Sequence, residues 1–148
     1  VWEQIESDIS FIRRVKEVNP AVEIILYVYS PVPVEGSDLY KRITEAGFCF
    51  PQHLEDWLSP QWASFDLRKN PLTPWLTPAM IRHIRHFETV LDARYPTVSD
   101  QKLTRFQRSA VSALAAWRWR THCYAFPYEL KALQKWWLRY RQPQTEGF

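Results

Sequence analysis

Glycine is scarce in this 148-residue chain, and its scarcity excludes several kinds of cofactor-binding loop. The sequence has 3 glycines, where average usage would give about ten. They stand at positions 36, 47 and 147, too far apart for the glycine-rich loops of dinucleotide-binding folds, P-loop nucleotidases or protein kinases. None of these ways of holding a nucleotide is available within the 148 residues.

Cysteine is also sparse. Cys49 and Cys123 are 74 positions apart, which excludes CxxC pairs, zinc-finger spacing, iron–sulfur runs and a disulfide framework. Two unpaired thiols favour a reducing compartment, and we expect both to be buried packing residues. No apolar run approaches the roughly 20 residues that span a bilayer, and the sequence starts at Val1 without a signal peptide. We therefore expect a cytoplasmic protein and a fragment of a longer chain.

Charge is unevenly distributed along the sequence. Residues 1–78 carry 7 Lys and Arg against 11 Asp and Glu, a net charge of −4. Residues 79–148 carry 12 against 5, a net charge of +7. A basic segment can bind nucleic acid or an anionic lipid surface, or it can dock on an acidic neighbouring domain. The composition leaves both classes of partner open.

The first 47 residues have the pattern of a helix–strand–helix unit. Apolar residues recur every three or four positions from Ile5 to Val18, which predicts a helix with one buried face. Asn19-Pro20 ends that helix. Seven of the eight residues from Val22 to Tyr29 are apolar or aromatic, which predicts a strand buried on both faces. A second helix is predicted from Asp38 to Ala46.

The rest of the chain divides into an irregular segment and a helical region. In residues 48–77 aromatic residues alternate with prolines, a composition typical of a segment that wraps over an existing surface. Three helices are predicted in residues 78–148, the first opened by Thr77-Pro78, the second capped by Ser99 and the third opened by Pro127. The predicted fold class is mainly α, with one αβ step, an aromatic and proline-rich wrap and a three-helix C-terminal region.

No residue pattern predicts a catalytic or metal site. His83 and His86 are three positions apart on a predicted helix and could face one metal ion. No third ligand stands at a matching position, and the neighbouring Arg82 and Arg85 would repel a cation. We interpret the two histidines as a solvated or partner-facing pair.

Two stretches combine cations with aromatic rings, residues 117–120 and 135–141. Such stretches stack nucleic-acid bases, lie at a lipid headgroup layer or form cation–π contacts inside a helical bundle. Trp117 and Trp137 fall on the apolar stripes of predicted helices, which favours bundle packing. Trp119 and Trp136 are then left for an external surface.

Eight segments, taken in order, resemble one known family: ISFIRRVK at 9–16, NP at 19–20, EIILYVYSPVP at 23–33, AGF at 46–48, FP at 50–51, LEDW at 54–57, PWLTP at 74–78 and EGF at 146–148. Together they span nearly the whole chain. The chain resembles the C-terminal third of radical S-adenosylmethionine proteins that carry an N-terminal cobalamin-binding domain. The CxxxCxxC loop that holds the family's 4Fe–4S cluster is not among the 148 residues.

The resemblance implies that residues 22–29 are the last strand of a partial β/α barrel, whose strand ends hold the ligands. Tyr27, Tyr29 and Ser30 would then lie at the S-adenosylmethionine or substrate side, as candidate cofactor-binding residues. Tyr27 and Tyr29 share one face of a strand. That face either looks into the barrel or packs beneath the helices with the phenol hydroxyls in water. The resemblance places no catalytic residue and no metal ligand in this chain.

The resemblance also implies domains and partners. Residues 1–47 would be the last helix–strand–helix unit of the barrel, residues 48–77 a connecting segment and residues 78–148 a helical extension over the substrate side. The parent enzyme would use S-adenosylmethionine, the cluster and cobalamin for methyl transfer or a related radical reaction on a small molecule. The chain alone would hold no cofactor and would not be catalytic.

The expected partners are the upstream barrel and the cobalamin-binding domain of the same parent chain. The alternative is a stand-alone basic helical module that binds nucleic acid or an anionic membrane surface. Of these two ligands, the membrane surface is the one we favour.

Overall fold

The computed structural model describes residues 1–26, 34–63, 73, 75–96 and 104–137, apart from the side chains of Gln61, Gln134 and Trp137. In chain order its elements are α1 (Trp2–Val18), α2 (Asp38–Glu45), a 3-10 helix (Leu54–Leu58), α3 (Pro60–Ala63), α4 (Pro78–Arg94), α5 (Arg105–Thr121), α6 (Tyr128–Ala132) and a π-helical turn (Leu133–Trp137). The prediction of a mainly helical chain is confirmed, and the described residues contain no strand.

The chain forms two compact units. One comprises Val1–Leu26 and Pro78–Phe148, and the other comprises Tyr27–Thr77. In the first unit α4 packs against α5, α6 packs against both of these helices, and α1 packs against α4. The basic C-terminal helices therefore belong to the same unit as the N-terminal helix.

Helix α1 confirms the predicted helix but buries a partly different face. Its isoleucines are buried as predicted, at Ile5, Ile9 and Ile12. Phe11 and Val18, expected on that face, are 59% and 87% exposed. Lys16, a charged residue that does not belong to the apolar pattern, is instead 3% exposed. Its alkyl stem packs as an apolar group, while its ammonium finds backbone acceptors.

The chain after α1 does not form the predicted strand within the described residues. Residues 22–26 have no regular secondary structure, and residues 27–29 of the predicted strand lie outside the described part. Burial nevertheless alternates, because Val22, Ile24 and Leu26 are half-buried while Glu23 and Ile25 are exposed. A period of two is that of extended chain, with one covered face rather than the two predicted.

The core of the first unit lies along α4 and α5. Its fully or almost fully buried apolar side chains are Phe87, Val90, Leu91 and Ala93 of α4, Val111, Ala115 and Trp119 of α5, and Leu130 of α6. Each large side chain among them contributes about 1.5–3 kcal/mol by leaving water. Trp119, expected on an external surface, is part of this core and stacks on Phe87 with ring centroids 6.1 Å apart.

Helix α5 begins and faces differently from the prediction. Thr104 is its N-cap and shares a capping box with Gln107, whose side chain accepts from the Thr104 amide at 2.9 Å. Ser99, the predicted cap, lies outside the described residues. Trp117, predicted on the inward apolar stripe, is 46% exposed, and Phe106 in the first turn is 74% exposed. Apolar residues surround most of α5, so periodicity alone could not select the buried side.

Aromatic side chains hold the second unit together. Phe50 is buried, stacks on Tyr40 at 4.9 Å between ring centroids, and meets Phe48 edge-on at 5.0 Å. Trp62 contacts Phe48 and Trp57 at 6.2 and 5.0 Å. Ring pairs of this kind anchor a segment that has little regular structure.

The prediction that both thiols are buried is wrong. Cys49 is exposed and Cys123 is half-buried, so neither is a buried packing residue. Cys49 Sγ makes a weak contact with the Gly47 carbonyl at 3.9 Å. Gly47 itself has a φ of 89° and follows α2 as predicted, because that conformation costs glycine little.

Candidate functional site

The three residues predicted to approach a cofactor, Tyr27, Tyr29 and Ser30, lie outside the described residues. The described part of the chain contains no group of three or more His, Cys, Asp or Glu side chains that could hold a metal ion. Across the same residues, no helix is both long and apolar enough to cross a bilayer. The chemistry that the described residues do assemble lies in the first unit, around the loop between α5 and α6.

A buried arginine organises that loop. Arg118 of α5 is 6% exposed, and its guanidinium binds both carboxylate oxygens of Glu129, with Nη2 2.9 Å from Oε2. Because Arg118 donates these bonds, the pKa of the Glu129 carboxyl is lowered. A buried guanidinium requires such pairing, since an unpaired buried charge is costly.

The remaining donors of Arg118 bind the backbone of the loop. Nη1 donates to the carbonyl oxygens of Cys123 and Ala125 at 3.1 and 2.8 Å, and Nη2 donates to that of Phe126 at 3.2 Å. The guanidinium also lies 4.7 Å from the ring centroid of Trp117. One side chain thus satisfies three loop carbonyls and fixes the path of the chain between the two helices.

The loop adopts two unusual backbone conformations. His122, which ends α5, has a φ of 57°, and Phe126 has a φ of 47°. Left-handed conformations are disfavoured for residues with a side chain, most of all for bulky ones. Phe126 keeps this conformation because Arg118 holds its carbonyl and its amide donates to His86 Nδ1 at 3.4 Å.

The strained position presents an aromatic side chain to solvent. The Phe126 ring is 60% exposed and the Tyr128 ring is 65% exposed, and the two stack with centroids 5.8 Å apart. On α4, His86 contacts the Phe126 ring at 5.6 Å. Two exposed aromatic rings therefore project side by side from a loop that is fixed from within.

Positive charge surrounds these rings. The pKa of His86 is lowered, chiefly by desolvation. The neighbouring residues Lys131, His83, Arg82 and Arg118 lower it further through their charges. Arg82 and Lys131 are exposed, whereas the charge of Arg118 is compensated by Glu129. We call the group formed by Arg82, His86, Phe126, Tyr128 and Lys131 the Phe126 patch.

His83 and His86 do not form a site together. His83 Nε2 lies 2.9 Å from Glu6 Oε1, although the two atoms are not aligned as a hydrogen bond, and its ring contacts Trp2 at 5.2 Å. His86 instead faces the Phe126 loop. Both side chains are half-buried against other residues of the first unit, so the interpretation as a solvated pair is wrong, and the partner-facing alternative stays a prediction.

A second set of cations ties α1 to the helical core. Arg13 Nη1 donates to the Trp119 carbonyl and the Tyr124 hydroxyl, both at 2.6 Å, and its guanidinium lies 4.8 Å from the Trp119 ring centroid. Burial raises the pKa of Tyr124. These contacts are internal and hold the unit together.

Lys16 links α1 to the chain that follows it. Its ammonium donates to the carbonyl oxygens of Val22 and Pro20 at 2.6 and 3.2 Å and lies 4.8 Å from the Tyr95 ring centroid. Burial lowers the pKa of Lys16, against the opposing charges of Asp92 and Glu23. The ammonium therefore fixes the entry of residues 22–26 to the end of α1.

A shallow open cleft of about 470 Å³ lies between the end of α4 and the first half of α5. Arg94 and Ser112 meet in its wall, where Ser112 Oγ accepts from Arg94 Nη1 at 2.6 Å and donates to the Arg94 carbonyl at 2.8 Å. These bonds join α4 to α5, so the polar groups of Arg94 and Ser112 in the cleft wall are already used to hold the two helices together.

Sequence patterns identified part of this arrangement and missed the rest. The exposure of Trp136, which is 78% exposed, was predicted correctly, whereas the assignments of Trp117 to the bundle interior and of Trp119 to an external surface were wrong. Phe126 and Tyr128 were not singled out, although Pro127 between them marked a break in the helices. Arg118 carried no sequence signal for burial, because its partner Glu129 follows only after the loop has turned back.

Comparison with known proteins identifies no relative of this chain. The sequence matches no family model, and no curated protein or solved structure matches it significantly.

Proposed function

We propose that this chain is the C-terminal segment of a cobalamin-binding radical S-adenosylmethionine enzyme, where it completes the barrel and covers the substrate side. The support from the sequence is the ordered set of segments that resembles this family. The observation that carries the proposal in three dimensions is the alternating burial of residues 22–26 directly after α1. Such alternation is expected of an extended segment that has one covered face in this chain, and the second face of a barrel strand would be covered only in the complete barrel.

The bonds of Lys16 support the same proposal. Its ammonium holds the Pro20 and Val22 carbonyls, so the turn between α1 and the extended residues has a defined geometry. An αβ step of a barrel needs such a turn, because the strand must return alongside the helix that precedes it. Both bonds that define the turn are made within α1 and the residues that follow it.

Helix α1 and the C-terminal helices belong to one unit, and this supports the role of residues 78–148 as a covering extension. Arg13 on α1 binds the Trp119 carbonyl of α5 and the Tyr124 hydroxyl of the following loop. The helical region is thereby attached to the helix that would precede the last barrel strand. Such an attachment would carry α4 to α6 along the edge of the barrel.

The parent enzyme would supply the chemistry. When bound, S-adenosylmethionine and the cluster provide radical chemistry and cobalamin provides methyl transfer. This chain would contribute Tyr27, Tyr29 and Ser30 at the end of the last strand, as residues that contact S-adenosylmethionine or the substrate. Its remaining part would exclude water from the substrate side and would not perform a step of the reaction.

The coding sequence upstream of Val1 provides the first test. Each helix–strand repeat takes about 30 residues, so a CxxxCxxC motif is expected about one to two hundred residues upstream. A stop codon in frame immediately before the codon of Val1, or an upstream frame without that motif, would overturn the proposal.

The second test is biochemical and uses the longer chain. After anaerobic reconstitution with iron, sulfide and cobalamin, we expect it to convert S-adenosylmethionine to 5′-deoxyadenosine under reducing conditions. The 148-residue chain treated in the same way should show no stoichiometric iron–sulfur absorption. A cluster bound by Cys49 and Cys123 in the short chain would contradict the proposed division of roles.

A further inference from the structure

The Phe126 patch has no role in the proposed enzyme, and its construction indicates a docking surface. We propose that the patch docks on the surface of an anionic lipid bilayer. In this arrangement the edges of the Phe126 and Tyr128 rings enter the headgroup layer, while Arg82 and Lys131 contact lipid phosphates. The inference does not depend on the proposed function, since it rests only on residues of the first unit.

The exposure of Phe126 is maintained by the structure and does not result from a loose loop. A phenylalanine with a φ of 47° is strained, and the strain persists because its carbonyl and amide are held by Arg118 and His86. The ion pair of the buried Arg118 with the half-buried Glu129 supports this geometry. The fold thus holds the Phe126 ring in solvent next to a second exposed ring, that of Tyr128, and a contiguous exposed aromatic pair is more informative than a single exposed apolar residue.

The position of the rings favours lipid over nucleic acid. The Phe126 ring already has two aromatic neighbours, Tyr128 at 5.8 Å and His86 at 5.6 Å. Base stacking requires an open ring face, and these neighbours compete for the faces of Phe126. Entry into a headgroup layer requires only that ring edges project, and Phe126 and Tyr128 remain 60% and 65% exposed.

The charges around the rings suit an anionic surface. Arg82 and Lys131 are exposed. Arg82 lies one helical turn before His86 on α4, and Lys131 lies on α6, which begins with Tyr128 and packs against α4. Glu129, the acidic residue that follows Tyr128 in the chain, is bound by Arg118. Exposed cations next to projecting aromatic rings are the combination that peripheral proteins use on anionic membranes.

The test measures sedimentation of the intact 148-residue chain with large unilamellar vesicles. One set consists of phosphatidylcholine alone, and the other contains about one third phosphatidylglycerol. We expect binding to the anionic vesicles, weak binding to the neutral ones, and a loss of binding as salt is raised, because exposed charges are screened. Equal binding to both sets, or none to either, would overturn the proposal.

Matched variants connect binding to the patch. Phe126→Ala should lower the partition coefficient about tenfold, and Arg82→Ala with Lys131→Ala about 25-fold, since each surface cation contributes about fivefold. Phe126→Trp should keep or increase binding. Phe11→Ala removes an equally exposed phenylalanine, 59% against 60%, from α1, and Arg14→Ala with Arg105→Ala removes the same charge elsewhere. Each control should lower the partition coefficient by less than half the factor expected for the corresponding patch variant.

Folding and competing ligands are checked in parallel. Circular dichroism melting of each variant shows whether the fold is kept, and Phe126→Gly gives a second variant whose backbone accepts a positive φ. Binding of a short single-stranded oligonucleotide or an acidic peptide is measured on the same proteins. Loss of oligonucleotide or peptide binding in Phe126→Ala, with vesicle binding unchanged, would assign the patch to that ligand and overturn the lipid proposal.

Discussion

Glu129 binds the guanidinium of Arg118 with both carboxylate oxygens, although the two residues belong to different helices and are separated by a loop with two left-handed residues. The pair fixes the loop that presents Phe126. Stability, pH response and surface properties of this region therefore depend on the same few contacts.

Arg118→Lys is expected to destabilise the first unit by about 2–3 kcal/mol, because lysine cannot reproduce the two-pronged contact with Glu129 and the bonds to three loop carbonyls. Urea denaturation measures the loss. Arg120→Lys is the control, since Arg120 is exposed on the same helix and should change stability by less than about 0.5 kcal/mol. Equal stabilities for the two variants would remove Arg118 from its assigned role.

The Glu129 carboxyl should make stability sensitive to acid. Its pKa in the folded chain is lowered by Arg118, so its contribution is present at neutral pH and is lost as pH falls below about 4.3 and through the folded value. Glu129→Gln should be less stable at pH 7 and should show a flatter decline in acid. Glu55→Gln, which changes an exposed carboxylate in the other unit, should leave the acid decline of the first unit unchanged.

His86 should loosen the Phe126 loop in mild acid. Its pKa is lowered, chiefly by desolvation and then by Lys131, His83, Arg82 and Arg118, so the neutral ring stabilises the fold and stability falls as pH drops below about 6.5. Protonation of His86 at Nδ1 would also remove the acceptor of the hydrogen bond that the Phe126 amide donates.

Amide exchange of Phe126 followed from pH 7.5 to 5.5 measures this effect. Exchange, corrected for its intrinsic pH dependence, should rise below about pH 6.5 in the native chain. His86→Gln should abolish the rise, whereas His122→Gln, at an exposed histidine, should keep it. A pH-independent protection of Phe126 in the native chain would contradict the assigned contact.

Lys16→Met should weaken the turn after α1. Methionine keeps much of the packed stem but leaves the Val22 and Pro20 carbonyls without their donor, at a cost of about 1–3 kcal/mol. The variant should unfold at lower urea and exchange faster at residues 22–26. Arg14→Met removes an exposed cation from the same helix as a control. If both variants behave alike, the ammonium does not organise the turn.

His122→Gly should stabilise the chain by about 1 kcal/mol, because glycine accepts the left-handed conformation that His122 has at a φ of 57°. His122→Ala should give no gain, since alanine meets the same steric penalty. Thermal melting compares the three proteins. A gain of the same size in both variants would show that the side chain, rather than the backbone conformation, is responsible.

Local sequence rules predicted the helices well. The pattern of apolar residues and the positions of proline and serine predicted α1, α2 and α4 to within a few residues, because helix periodicity and capping depend on neighbours three or four positions away. The position of Gly47 just after α2 was predicted correctly for the same reason, because a helix end with a positive φ favours glycine there.

The same rules failed where a residue's environment comes from another element. Lys16 is buried and Phe11 is exposed, the reverse of what the apolar pattern predicts. The chain after α1 supplies two carbonyl acceptors for the Lys16 ammonium, and no local pattern shows them. Trp119 is buried and Trp117 is half-exposed because the packing of α4 selected one side of a helix that is apolar around most of its circumference.

By itself, the sequence determined a mainly helical chain, its principal helix boundaries, the basic character of its second half and the lack of glycine-rich nucleotide loops. These properties follow from composition and short-range spacing. Only the tertiary structure decided that Arg118 is a buried clamp and that Phe126 projects beside His86 and Tyr128. Both results need residues far apart in sequence to meet, and the free energy of such contacts depends on packing that no short pattern encodes.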